Sequence, residues 1–193
     1  MSKVRNSFGV IASGTLLLLS GQVLAQGGVV LCEGCHGADG RGGLDNMPII
    51  AGLPDVVQED ALFSYQDGDR TCESNPMKCK MVANLSEDQI IESAAHFAAM
   101  PYAAAGEEFD AALAEAGKAV HDNSCAMCHG ADGPDDNAMG GPLHGQRKEY
   151  LRYALEQYAA GNRMQPPAKE KKLSALSADD KEALLNYYAS YGN

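Results

Sequence analysis

The chain contains no tryptophan, and aromatic side chains make up only 6% of its 193 residues. The halves are aromatic-poor, and a small domain of this composition gains only marginal stability from apolar burial. Positive charge is scarce as well. Fifteen Lys and Arg face 26 Asp and Glu, for a formal net charge of −11. Such a surface repels nucleic-acid phosphates and anionic lipid headgroups. It suits docking on basic patches of partner proteins at salt-sensitive rates, or simply keeps the chain soluble. Long apolar runs are also missing. The stretch Phe8 to Leu19 falls short of the roughly 20 residues a membrane span needs. It follows Lys3 and Arg5 and precedes Val23-Leu24-Ala25, so residues 1–25 read as a cleaved export signal. The rest of the chain is then periplasmic, without stable membrane insertion, and two charges more negative once Lys3 and Arg5 are gone. No strand-like alternation stands out, so the expected fold is all-α.

What the chain does possess is a repeated pentapeptide: Cys32-Glu33-Gly34-Cys35-His36 and Cys125-Ala126-Met127-Cys128-His129. Both copies continue as His-Gly-Ala-Asp-Gly. C-x-x-C-H is the attachment signature of c-type haem. Its thiols add across the two vinyl groups, and the adjacent imidazole becomes an axial iron ligand. A zinc or dithiol redox reading of the C-x-x-C pairs leaves the repeated histidine unexplained. Two covalently bound haem c groups are expected, on Cys32, Cys35, Cys125 and Cys128, with His36 and His129 on the irons. Haem would also supply the missing core in halves of about 80 residues each.

The two halves align elsewhere. Pro48-Ile49-Ile50-Ala51-Gly52 follows the first motif, and Gly141-Pro142-Leu143-His144-Gly145 follows the second. Leu85-Ser86-Glu87-Asp88 opens a helical stretch matched without a gap by Leu176-Ser177-Ala178-Asp179. Ser86 with Gln89 makes a capping box, and Ser177 is a good N-cap. Further helices are expected over Asp55 to Tyr65, Phe109 to Asp122 and Lys148 to Ala160. Pro101 and the small residues after it mark a linker, giving a signal at 1–25 and domains at 26–104 and 105–193.

A carrier haem needs a distal ligand, and a methionine thioether raises the potential. Met164, on a loop ahead of the last helix, is the candidate in the second half; Met139 lies in a Gly-rich loop. The alternative for Met164 is a loop residue packed on the surface. In the first half Met77 follows Pro76 on a loop, Met81 lies four residues on, and Met47 is a further loop candidate. The carbonyls of Pro48 and Pro142 are candidate acceptors for the second imidazole N–H of His36 and His129, fixing ring orientation. Cys72 and Cys79 are expected to form a disulfide around Met77, although a thiolate ligand would instead lower the potential and suggest sulfur chemistry. His96, His121 and His144 read as packing residues before ligands. Lys169-Glu170-Lys171-Lys172 reads as a solvated stretch or a local docking patch.

These residues resemble the two-haem class I cytochromes c, namely the cytochrome c-four family and, more closely, the dihaem cytochrome subunit of flavocytochrome c sulfide dehydrogenase. The likeness is sharpest from Phe109 to His129, at His144-Gly145-Gln146, over Tyr150 to Ala154, and at Tyr187-Tyr188-Ala189-Ser190. It implies two tandem class I cytochrome c domains about a pseudo-two-fold axis, with His/Met haems that exchange electrons. It also implies redox protein partners, among them a flavoprotein sulfide dehydrogenase subunit. The stretch ahead of Cys32 is short, so the usual leading helix is missing or overlaps the export signal. The function expected is one-electron transfer, as a free carrier or a dehydrogenase subunit. The alternative is a dihaem enzyme acting on a sulfur compound or peroxide through an open or thiolate-ligated haem.

Overall fold

The computed structural model describes residues 17–72, 76–131 and 140–192. Among them are nine helices and no strand longer than one isolated bridge. The first half contains α1 (Leu17–His36), α2 (Asp55–Gln66), α3 (Pro76–Val82) and α4 (Glu87–Ala98). The second contains α5 (Ala111–Ser124), α6 (Ala126–His129), α7 (Lys148–Ala159), α8 (Pro167–Ser174) and α9 (Ala178–Ala189).

Side-chain caps fix the starts of three helices, α4, α5 and α9. Ser86 accepts from the Gln89 N–H at 3.3 Å, and the Gln89 side chain accepts from the Ser86 N–H at 2.9 Å. Ser177 and Asp180 form the same reciprocal pair ahead of α9. Such boxes satisfy amide protons that a helix start otherwise leaves without partners. The helix expected from Phe109 begins two residues later, because the Asp110 carboxylate accepts from the N–H groups of Ala112 and Leu113 and so acts as the N-cap. Helix α1 overlaps the expected signal: it runs through Ala25 and carries the first haem motif at its end. The basic start of that signal lies outside the described residues. Among the described residues, no helix is long and apolar enough to cross a membrane.

Within each half, the helix leading into the haem motif packs on the last helix, α1 on α4 and α5 on α9. Glycine permits both crossings. A Cβ on Gly28 would lie 2.7 Å from Ser93 Oγ, and one on Gly117 would run into the Ala183 carbonyl. Ile49, Ile90, Ala94 and Phe97 are buried in the first half. Leu151, Leu184, Leu185, Tyr187 and Tyr188 form the core of the second.

Buried polar contacts join the halves. Gln146 Oε1 accepts from the Ile49 N–H at 2.7 Å, and Gln146 Nε2 donates to the Ile49 carbonyl at 2.9 Å. Arg147 donates to the carbonyls of Arg41 and Gly42. Arg70 and Arg163 meet in the antiparallel bridge, flanked by Thr71 N–H to Asn162 O at 2.8 Å and Met164 N–H to Asp69 O at 2.7 Å.

Candidate haem centres

In the first half, Cys32, Cys35 and His36 sit on the last turns of α1. The His36 Nδ1–H donates to the Pro48 carbonyl at 3.2 Å. This leaves the Nε2 lone pair for a metal and fixes the ring plane. Burial, with the nearby Lys78 charge, pulls the His36 pKa down to about 4, against a smaller opposing effect of the hydrogen bond to Pro48. The imidazole is therefore neutral at neutral pH, the form that ligates iron. Burial raises the Cys32 and Cys125 thiols above their ordinary range.

The second half repeats the arrangement with one difference from expectation. Cys125 lies between α5 and α6, and α6 is a single turn ending at His129. The His129 Nδ1–H donates at 2.9 Å to the carbonyl of Gly141, not to that of Pro142. Gly141 is twelve residues beyond its histidine, as Pro48 is beyond His36. The accepting group is a backbone carbonyl, so the position need not be a proline, and Gly141 holds it at a φ of 70°, which glycine adopts without strain. Burial again lowers the histidine pKa. Gly140 lies directly against the His129 ring, leaving no room for a Cβ.

Helices α6, α7, α8 and α9 surround a cavity of about 160 Å³ that contains Cys125, His129, Tyr158, Lys169 and Tyr188, and Leu53 and Val57 of the first half close one side. The residues fit a covalently attached porphyrin. The four motif cysteines are free thiols. Each pair is followed by a histidine whose Nδ1 is already engaged, and the second cavity is mostly apolar. Among the described residues, no group of three or more His, Cys, Asp or Glu is arranged to hold a bare metal ion.

On the distal side, Met77 stands in the first turn of α3, not on a loop, and is 60% exposed. Met81 lies on the same helix, and both Met81 and Met47 are half-buried. Met164 is 69% exposed beside the bridge between the halves and is not among the residues around the second cavity. Met139 lies outside the described residues. Cys72 and Cys79 are joined in a disulfide with a Cα–Cα distance of 5.8 Å, so neither sulfur is a free thiolate.

Two features escape a reading of the sequence. Lys169, in a stretch that reads as solvated, turns into the cavity, and its Nζ lies 3.7 Å from the centroid of the Tyr158 ring. Burial and the charges of Arg163 and Arg70 lower its pKa to about 8. The second feature is a buried polar network. The His121 Nε2–H donates to the Gly130 carbonyl at 2.7 Å, while its Nδ1 accepts from the Tyr188 hydroxyl at 3.0 Å. His144 Nε2 and the Tyr187 hydroxyl are 3.2 Å apart. His96 is exposed and stacks edge-on against Phe97.

Known proteins share this architecture. The cytochrome c family model matches residues 114–190. The thiosulfate dehydrogenase electron acceptor of Stutzerimonas stutzeri is 32% identical over 187 residues, covering 89% of this chain and 85% of that protein. Cytochrome c4 of Pseudomonas aeruginosa is 29% identical over 149 residues, 72% of this chain and 71% of that one. The crystal structure of reduced cytochrome c4 from Pseudomonas stutzeri superposes with a TM-score of 0.73 at 26% identity, covering 86% of this chain and 96% of that chain. Thiosulfate dehydrogenase from Marichromatium purpuratum matches with a TM-score of 0.71 at 27% identity, over 88% of this chain but 39% of that chain. With two haem-attachment motifs in register and matching centres in both halves, the chain belongs to the electron-transferring c-type cytochrome family that contains the thiosulfate dehydrogenase electron acceptor and cytochrome c4.

Proposed function

We propose that this protein is a periplasmic carrier with two covalent haems, and that it accepts single electrons from a dehydrogenase oxidising an inorganic sulfur compound, with thiosulfate favoured. Bound haem supplies the ferrous/ferric couple. The residues of the chain do the rest. Cys32, Cys35, Cys125 and Cys128 tether the two groups. His36 and His129 hold neutral imidazoles toward the irons because the carbonyls of Pro48 and Gly141 engage the opposite nitrogens. Met77 is the proposed distal ligand of the first haem, on a helix stapled at its base by the Cys72–Cys79 disulfide. The domains proposed are 26–104 and 105–193, behind a signal cleaved after Ala25.

The observation that carries the choice of donor is the 32% identity to a thiosulfate dehydrogenase electron acceptor along 89% of the chain. A flavoprotein sulfide dehydrogenase is the second donor class, supported by the residue resemblance around the second motif. The acidic surface of either version favours docking on a basic face.

The test mixes the oxidised dihaem protein with thiosulfate dehydrogenase and thiosulfate, and in parallel with sulfide and a flavocytochrome flavoprotein. Ferrous haem absorbance is followed at increasing salt. Fast reduction by the thiosulfate system, slowing as salt rises, is expected. Reduction by ascorbate but by neither enzyme system would overturn the proposal.

A further inference from the structure

The distal side of the second haem site repeats the first only in part. The register of the two halves shows where they part. Tyr65-x-x-Gly68-x-Arg70 recurs as Tyr158-x-x-Gly161-x-Arg163, at the same separation as the two haem histidines. Arg70 and Arg163 meet in the bridge between the halves, and the flanking amides, Thr71 to Asn162 and Met164 to Asp69, are symmetric counterparts. Met164 thus holds the place of Thr71. It does not hold the place of Met77. Counting back from the matched caps Ser86 and Ser177 aligns Pro76-Met77-Lys78 with Pro167-Ala168-Lys169. Both triplets open a short helix, α3 and α8. Lys78 and Lys169 thus hold matched places near matched tyrosines, with Lys78 Nζ 5.7 Å from the Tyr65 ring centroid. The first half sets a thioether beside its lysine, whereas the second has only the methyl group of Ala168 there.

In the second half that lysine faces the cavity with no methionine next to it in sequence. Lys169 shares that cavity with His129 and Cys125, and its Nζ rests on the ring of Tyr158, another wall residue. Met164 is absent from the walls, is 69% exposed, and has its backbone tied into the bridge. Among the described residues no carboxylate lines the cavity to balance an ammonium, and Arg163 adds a second positive charge. A cation without a counter-charge in such a place is costly. A neutral amine bound to a metal avoids that cost.

We propose that Lys169, through its Nζ, is the distal ligand of the second haem, and that Met164 is not. The inference rests on the haem-carrier reading above. On coordination the ammonium proton leaves to solvent and the nitrogen lone pair forms the bond to iron, with no change in oxidation state. An amine lacks the potential-raising effect of a thioether. The second haem is then the lower-potential centre of the pair, so an electron received there moves on to the first haem, the one facing Met77.

Near-infrared and electron paramagnetic resonance spectra of the oxidised, fully haem-loaded protein test the assignment. A sulfur-to-iron charge-transfer band with the intensity of one His/Met haem, together with a second low-spin haem lacking that band, is the expected result. Lys169→Ala should turn the second haem high-spin and shift its potential, while Met164→Leu should leave every spectrum unchanged. Band intensity for two His/Met haems in the unmutated protein, or loss of half the band in Met164→Leu, would overturn the assignment. So would a high-spin second haem in the unmutated protein. The unmutated spectra decide the matter even if a variant fails to load haem. Failure of the donor assay removes the proposed donor and leaves this ligand set standing; a spectrum of two thioether-ligated haems removes the ligand set and leaves the carrier.

Discussion

Replacing Gln146 with leucine tests how the halves are held together. Gln146 is 3% exposed and Ile49 is fully buried. The glutamine amide pairs with both backbone groups of Ile49, at 2.7 and 2.9 Å, across 97 positions of sequence. It imitates a strand partner for a single residue. Leucine has nearly the same volume, so Gln146→Leu leaves no large void but strips the Ile49 N–H and C=O of their partners. An unsatisfied buried group costs about 1–3 kcal/mol. Part of that is recovered because the glutamine amide no longer has to be buried. The net loss expected is about 2–4 kcal/mol. Guanidinium chloride unfolding of the haem-loaded protein, followed by haem absorbance and far-ultraviolet circular dichroism, measures it. A lowered midpoint at unchanged slope is the signature of lost stability without a changed fold. A loss below about 0.5 kcal/mol would mean that water satisfies Ile49, and the claim that this pairing locks the halves together would be wrong.

Two further perturbations probe the framework of each half. In Gly117→Ala, the added Cβ meets the Ala183 carbonyl where α5 crosses α9 and lies 2.8 Å from Tyr187 Cβ. Alanine's better helix propensity, about 1 kcal/mol, is outweighed by overpacking. Thermal unfolding should show a net loss of about 2 kcal/mol, and an unchanged midpoint would contradict the close crossing. Cys72→Ser with Cys79→Ser opens a loop closed over a separation of seven residues. Chain entropy predicts a loss of about 2 kcal/mol. Chemical denaturation should show this loss in the first half while the spectrum of the second haem stays unchanged.

Much of this was legible in the sequence because it depends on short-range chemistry. The haem motifs, the boxes at Ser86 and Ser177, and the cores of α7 and α9 each follow from residues within one or two turns of each other, whereas α5 buries Ala114, Gly117 and His121 and not the side with Phe109 and Leu113. Helices α3 and α8 are harder to see. Each opens on a proline, Pro76 and Pro167, which reads as a loop signal although proline is well tolerated in the first helical turn. Neither is long enough to display periodicity. The histidine acceptor in the second half is Gly141, one residue before the proline that the parallel with Pro48 suggests, because the imidazole N–H requires only a backbone carbonyl. Contacts such as Gln146 with Ile49, or His121 with Tyr188, unite residues far apart in sequence, and no local pattern announces them.

The register also shows that the two halves solve the same problem by different means. Gly28, Ala51, His96 and Phe97 of the first half correspond to His121, His144, Tyr187 and Tyr188 of the second. Four positions that are small, aromatic or exposed in one half become a cluster of imidazoles and phenols in the other. Buried polar groups are tolerable only when their hydrogen bonds are made. Here His121 bridges the Tyr188 hydroxyl to the carbonyl of Gly130, the residue immediately after His129, the proposed iron ligand. The network therefore steadies the backbone that follows His129. The first half, without these groups, instead places its disulfide on the distal side, around the helix that carries Met77. A thioether is a weak ligand on a flexible stem and benefits from a helix that cannot swing away. A lysine amine that has lost its proton to reach iron would be held by the bond itself. On the proposed ligand set the crosslink falls in the half whose ligand is a methionine, and an amine ligand in the other half would do without one.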